Sequence, residues 1–461
     1  MEHLLIPLGA IIAMCFKFKP KVYFLIMKLF QFMKRFLLLT LFFQFHFCVN
    51  PELNNPCDPS NKDFTLTLAL RWLIDDKSNF CGYKVERPIC DLPYSQVSLP
   101  ENWRRLQIYY QTVARESKKT IQQIYTIPLS NSLSPVGFYS SGLLPNGKIL
   151  AMPANPSDKI LILDPTDDSM RTLTMPEALA LRGYILGPNG KAYGIPSPGG
   201  KMLVYDSASD EITIKLAPSG TANFQGGVVV GQEIYMMNRT GENVLVYNIE
   251  LDAFSLIPVG PNFTSSAVQY VGAALAPDGR IFAAPANQTN VLTINPGLKQ
   301  ARIDTIPQVN PNNSIRYFEG AVLGMDGAIY MFPRETTNIL RVSPEDNTFR
   351  LLNNPNQPLT NAGGKYINGK LTPSGLIISS PYVSIDNDRL LFVNSLNQEV
   401  SLGQSIVPEV TDQIGNWIGA TLARNGKIYY FPIVPNRPIL VVDLGETFCD
   451  SVLLSAYMNN N

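Results

Sequence analysis

Residues 274–285 read ALAPDGRIFAAP, two short apolar runs either side of Asp278-Gly279, the second ended by Pro285. Such runs around an Asp-Gly or Asn-Gly turn form a β-hairpin, because glycine and asparagine accept the positive φ that tight hairpin turns require. A proline has no N–H to give and stops the ladder. The same text recurs as LLPNGKILAMP (143–153), ILGPNGKAYGIP (185–196), VLGMDGAIYMFP (322–333), KLTPSGLIISSP (370–381) and TLARNGKIYYFP (421–432). A seventh, shortened copy is GGVVVGQEIYMMN (226–238), with Asn238 in place of the proline. Neighbouring intact turn glycines (Gly147, Gly190; Gly279, Gly327, Gly375, Gly426) are 43, 48, 48 and 51 residues apart, and the span from Gly190 to Gly279 holds two units.

A third apolar run follows each hairpin (KILILDP, KMLVYDS, NVLVYNI, NVLTINP, NILRVSP, RLLFVNS, PILVVDL), then a weaker fourth such as FSLIPVG or ARIDTIP. Four strands per unit at this period predict an all-β chain, a seven-bladed β-propeller of four-stranded antiparallel blades. A propeller must close its ring. IYTIP at Ile124–Pro128 precedes the first hairpin and matches IDTIP at Ile303–Pro307, a fourth strand. The N-terminal strand is therefore expected to complete a blade begun by the C-terminal repeat, with Ile124–Ile127 alongside Ile439–Val442. An open seven-unit arc is the alternative.

Over residues 121–448 these repeats resemble those of kelch-type and quinoprotein-like propellers. The kelch double glycine has a counterpart at Gly226-Gly227, without the accompanying signature, and the quinoprotein tryptophan-docking motif is missing from a chain with only Trp72, Trp103 and Trp417. The segment NPELNNPCDPSNKDF after Cys48 resembles the start of spirochaete exported lipoproteins, which implies a bacterial envelope location, periplasmic or on the outer surface, and nothing about activity.

Composition narrows the chemistry. Lys plus Arg and Asp plus Glu are 37 each, so no excess positive charge is available to neutralise nucleic-acid phosphates. The only histidines are His3 and His46. Past residue 46, Ser-His-Asp and Cys-His catalysis, histidine zinc sites and haem ligation by histidine are excluded. No cofactor or metal is expected. Residues 1–48 read as a leader: Met33-Lys34-Arg35 is a cationic start, Phe36–Phe43 an apolar core, and Met27 an equally good beginning. Cys48, directly after the apolar core, is the candidate lipidation site; a leader anchor is the other route to a membrane. Four further cysteines, Cys57, Cys81, Cys90 and Cys449, allow three pairings. Cys81–Cys90 closes a short loop, leaving Cys57–Cys449 to tie the front of the chain to its end. Residues 49–120 form a small cap segment before the propeller (121–461), with a helix expected over Asp63–Ile74 and residues 103–120 ambiguous between helix and strand.

Candidate binding residues come from two places. Opening the innermost strand of each blade is Phe138, Leu181, Phe224, Tyr270, Phe318, Tyr366 or Trp417. The position suits either an aromatic ring at the channel, placed to stack on a ligand, or packing between blades. The loops after the second strands share a face with the fourth-to-first connections, and the candidates on that face are Arg182, Arg239, Glu319, Arg334, Asp386 and Arg437. Asp164, Asp206, Asn248, Asn295, Asn394 and Asp443 end the third strands; turn chemistry accounts for them better than a metal ring. The function expected is non-catalytic binding of a protein or glycan. A carboxylate-dependent glycoside hydrolase or lyase is the alternative; it needs a second acid ~5–9.5 Å from Glu319.

Overall fold

The computed structural model describes residues 121–445 apart from 130–136, 219–222, 261–267, 308–316, 360–363, 383–388 and 407–416, and upstream 57–58, 60, 62–73, 79–84, 100, 103–104, 106–108 and 111. The leader, Cys48, Cys90, Cys449, Asp386 and most of the 308–317 loop lie outside these residues. Two compact units divide the chain between Pro88 and Ile89.

The second unit is a seven-bladed β-propeller. Seven four-stranded sheets follow one another. Blade 1 is Phe138–Leu143, Ile149–Pro153, Ser157–Asp164 and Ser169–Leu179. Blades 2 to 6 repeat this order, with innermost strands Leu181–Leu186, Phe224–Val230, Tyr270–Leu275, Phe318–Leu323 and Lys370–Leu371. Blade 7 takes Trp417–Leu422, Lys427–Pro432 and Ile439–Asp443 from the end of the chain and its outermost strand, Gln123–Ile127, from before blade 1. The register of the closing pair runs Ile124 opposite Val442 to Ile127 opposite Ile439. The ring is thus shut by ladder hydrogen bonds between residues more than 300 apart in sequence.

Burial explains the apolar text. Innermost strands are buried on both faces, because each blade packs between two neighbours, so they read as unbroken small and apolar runs such as YVGAAL. Outermost strands alternate: in Glu211–Leu216 and Gln300–Thr305 exposed and half-buried residues take turns.

The turns bear out their residues. Gly147 sits at φ +83° and donates its N–H to Leu144 O at 2.9 Å. The asparagine before it has a different task from positive φ: Asn146 Oδ1 accepts the Lys148 N–H at 3.1 Å, and Asn189, Asp278, Asp326 and Asn425 do the same in their blades. The shortened copy closes on a two-residue turn between Val230 and Glu233, with Gly231 at φ +58°. The six third-strand Asp and Asn side chains each accept a backbone N–H two or three residues on, from Thr166, Ala208, Leu251, Leu298, Leu396 and Gly445. Those oxygens are turn acceptors.

Upstream, positions 103–104, 106–108 and 111 are helical. Leu106 is buried, and Gln107 Nε2 donates to Met325 O at 3.1 Å, in the hairpin turn of blade 5. This is the end of the blade opposite to where the innermost strands begin.

In the first unit the expected helix spans Lys62–Leu73. Asn79–Phe80 and Tyr83–Lys84 form a short hairpin, and Phe64 stacks on Phe80 with ring centroids 6.0 Å apart. That contact folds the hairpin back on the helix and brings the Cys57 and Cys81 Cα atoms to 5.2 Å, where they are disulfide-bonded. Cys81 therefore does not pair with Cys90, nor Cys57 with Cys449; the short-loop reading overlooked the helix that carries Cys57 back.

Candidate functional site

The strand-opening residues do not face the channel. Phe138, Leu181, Phe224, Tyr270, Phe318, Tyr366 and Trp417 are all at most 2% exposed, packed into the sheet interfaces. Tyr270 and Tyr366 spend their hydroxyls on Asn290 Oδ1 and the Arg389 carbonyl, and the Trp417 indole N–H on the Pro438 carbonyl. In this structure these side chains are buried between strands and blades.

The residue immediately after each of them points to the axis instead. In six blades the first two strands shift register here by a β-bulge. The bulge turns the next side chain out of the blade. These residues are Tyr139, Arg182, Gln225, Val271, Glu319, Ile367 and Ile418. One position further stand Ser140, Gly183, Gly226, Gly272, Gly320, Asn368 and Gly419, where neighbouring blades touch backbone to backbone. A Cβ on Gly272 would lie 2.7 Å from the Gly320 Cα, and one on Gly226 would lie 2.6 Å from the Gly272 Cα.

A buried polar network crosses the wheel. The Tyr139 hydroxyl of blade 1 donates to Glu319 Oε1 of blade 5 at 2.7 Å. Gln225 Nε2 of blade 3 donates to the same oxygen at 2.8 Å and to the Tyr139 hydroxyl. Arg334, just beyond the second strand of blade 5, pairs with Glu319 Oε2. Glu319 is 2% exposed, so its charge is held by these partners and not by water. Burial, then the Glu319 charge, pushes the Tyr139 phenol well above its usual range, keeping it a neutral donor. Burial opposes the charge on Arg334, but Glu319 outweighs it and the guanidinium stays firmly protonated.

Beside this network is an axial pocket to which six blades contribute. Its charged lining residues are Arg182 and Lys370. The Arg182 guanidinium stacks 4.8 Å from the Tyr139 ring centroid. Among the described residues its Nε is buried with no hydrogen-bond partner, and so is Ser140 Oγ, from the neighbouring blade in the lining of the same pocket. The free space for a water-sized group is about 20 Å³, room for roughly one such group. Burial lowers the Lys370 amine to about 7. Burial also lowers Lys365, at the start of the same blade, to about 8, with Glu335 opposing.

The Lys370 shift has a checkable sign. The folded state disfavours the charged amine, so between pH 7 and the ordinary lysine value of 10.5 the unfolded chain holds the extra proton. Stability contributed by this site therefore rises with pH across that window and is lowest below pH 7. Arg182 is the other charged residue lining the pocket. Lys370→Met is expected to flatten the rise and stabilise the fold at pH 7 by about 2–4 kcal/mol. Urea titrations at pH 7 and pH 10 check this; an unchanged pH slope would contradict it.

The structure thus gathers Arg182, Glu319 and Arg334 at the axis. Arg239 is on the same face, after the second strand of blade 3, and Arg437 is in the corresponding connection of blade 7. Tyr139, Gln225, Ser140, Asn368 and Lys370 were missed. The signal for the first two was in the repeat all along, one residue past the position that was aligned.

No protein-family profile matches the sequence, and no curated protein matches it. Solved structures do. A streptogramin B lyase superposes with a TM-score of 0.55 at 14% identity over 70% of this chain and 97% of that one. A catalytically inactive histidine-to-alanine variant of virginiamycin B lyase from Staphylococcus aureus, with quinupristin, gives 0.57 at 11% identity over 70% and 99%. The extracellular domain of a putative one-component system from B. thetaiotaomicron gives 0.53 at 11% identity over 70% of this chain and 40% of that one. At these identities the likeness is one of fold: a seven-bladed β-propeller, shared with lyases and with a sensor's extracellular domain alike.

Proposed function

We propose that the chain is an exported, membrane-anchored propeller that binds a protein or glycan ligand, without catalysis, on the face where the innermost strands begin. The observation that carries this reading is the state of Glu319. A paired-carboxylate hydrolase or lyase needs one acid free to give a proton and another free to take one or attack. Glu319 is committed on both oxygens to Tyr139, Gln225 and Arg334, and among the described residues lining the axial pocket there is no carboxylate. The lyase neighbour is inactive when a histidine is replaced, whereas this propeller has no histidine in its sequence. The sensor neighbour is an extracellular domain, in keeping with export. Among the described residues no helix is long and apolar enough to cross a membrane. Cys48 lipidation or the leader is the proposed anchor.

The test is direct. Incubation with streptogramin B antibiotics and with a panel of glycosides is expected to give no product, while glycan and peptide arrays give binding that is lost when the loops 308–317 and 352–366 are replaced. Turnover of any of these substrates that disappears in Glu319→Gln would reverse the reading. For the anchor, Cys48→Ser is expected to move the protein from the membrane fraction to the soluble one.

A further inference from the structure

We propose that the hairpin-turn end of the propeller lies against the membrane surface, with Leu251 and Leu298 set into the headgroup region of the bilayer. This rests on the membrane-anchored reading above and names the face that meets the lipid, opposite to the loop face kept for the ligand. The first observation is where the exposed apolar side chains stand. Leu251 and Leu298 are 73% and 64% exposed. They hold the same place in neighbouring blades 3 and 4, in the turns that join the third strand to the fourth. Blades 1, 2, 5 and 6 put Asp167, Ser209, Asp346 and Asn397 there. The turn does not need leucine. What it uses is the backbone: the N–H groups of Leu251 and Leu298 donate to Asn248 and Asn295 Oδ1 at 2.9 and 3.1 Å. Leu396, in the equivalent turn of blade 6, is exposed as well. The other exposed leucines of the propeller, Leu216 and Leu256, are on outermost strands, and the described loop-face connections carry no exposed large apolar side chain.

The charges beside the two tips are the second observation. Asp252, next to Leu251, is paired with Lys215 of blade 2, and Lys299, next to Leu298, with Glu233 of blade 3. A paired charge costs less than a single one when water is stripped from around it. The third observation is the path of the chain. Gln107 Nε2 donates to Met325 O, and Pro100 Cγ lies 3.7 Å from where a Cβ on Gly279 would stand. These contacts are on the hairpin turns of blades 5 and 4, so the chain leading back to the leader and Cys48 reaches the propeller at this end. Ile108, beside them, is exposed. Polar residues separate the tips: Glu250 and Asp252 flank Leu251, and Lys299 follows Leu298. The end therefore offers separate apolar points in place of the continuous patch around which a protein interface is built. A headgroup layer closes around each side chain singly and takes up its apolar area.

Depth-dependent fluorescence quenching tests this. The full chain is held on phosphatidylcholine vesicles by an N-terminal histidine tag and a nickel-chelating lipid, so that attachment does not depend on Cys48. Leu251→Trp, Leu298→Trp and, on the loop face, Asp158→Trp are compared on vesicles with and without lipid brominated near the headgroup end of its acyl chains, each as a difference from the parent chain. Emission from positions 251 and 298 is expected to fall at least twofold and that from 158 to stay unchanged; matching thermal melts establish that the variants are folded. Quenching at 158 as strong as at 251 and 298, or none at any of the three, would overturn the lipid-facing end. Sedimentation without vesicles examines a second copy of the chain as the occupant: a concentration-dependent dimer that is lost in Leu251→Asn/Leu298→Asn would overturn the lipid. A chain that fractionates as soluble in cells would refute the anchor, while the quenching pattern of the tagged chain still reports which face meets the bilayer.

Discussion

Glu319→Ala is expected to lower stability by about 3–5 kcal/mol, a large part of what a domain has to lose. The reason is geometric. Glu319 and Arg334 are paired with little solvent around either, their side chains 3% and 12% exposed. Removing the carboxylate leaves a buried guanidinium without its counter-charge, and leaves the Tyr139 hydroxyl and Gln225 amide without the acceptor they share. Each deserted buried donor adds to the loss. Glu319→Gln keeps an acceptor oxygen and the side-chain volume and should cost less than Ala. Replacing the whole set with apolar side chains is a separate matter and need not be destabilising, since the pair was costly to desolvate. Urea denaturation of the three proteins gives the order: wild type above Glu319→Gln above Glu319→Ala. A Glu319→Ala protein as stable as wild type would mean that the cross-wheel network is not formed.

The second large effect is expected at the axis. Gly272 has φ +79°, a conformation that costs an L-residue about 1–2 kcal/mol. Its missing Cβ is also where the next blade lies: 2.7 Å from the Gly320 Cα, against backbone that cannot rotate away. Overpacking a close-packed interior adds about 1–3 kcal/mol. Gly272→Ala is therefore expected to cost about 2–5 kcal/mol. The internal control is Gly147, at φ +83° with nothing within 4 Å of the added carbon; Gly147→Ala should show the backbone cost alone, about 1–2 kcal/mol. Equal losses at the two positions would mean that the blades do not approach each other this closely.

These two sites show what could and could not be read from the chain. The architecture was legible because each blade repeats the same local chemistry: the Gly147-type turn, the closing proline, the third-strand Asp or Asn. Even the closure was visible, as the likeness of IYTIP to IDTIP. The channel was lost by one residue. In an extended strand neighbours point opposite ways, so aligning on Phe138 instead of Tyr139 selects the packed set instead of the axial set. The bulge that turns Arg182 and Gln225 inward is written in the glycines after them, Gly183 and Gly226, which look like ordinary strand interruptions until the blades are arranged in a ring. The Tyr139–Glu319 bond joins positions 180 residues apart, and no local pattern pairs blade 1 with blade 5. The Cys57–Cys81 pairing depended likewise on a contact, Phe64 with Phe80, that spacing does not encode.

All of the axial chemistry presupposes a closed wheel, since an open arc would not bring Tyr139, Gln225 and Glu319 within bonding distance. Hydrogen exchange followed by mass spectrometry measures this at the joint. The amides of Gln123–Ile127 are expected to be protected to the same degree as those of Ile439–Asp443, with which they pair, and to open together with them. Exchange of 123–127 at the rate of free chain, beside a protected 439–443, would contradict the closure and everything built on it.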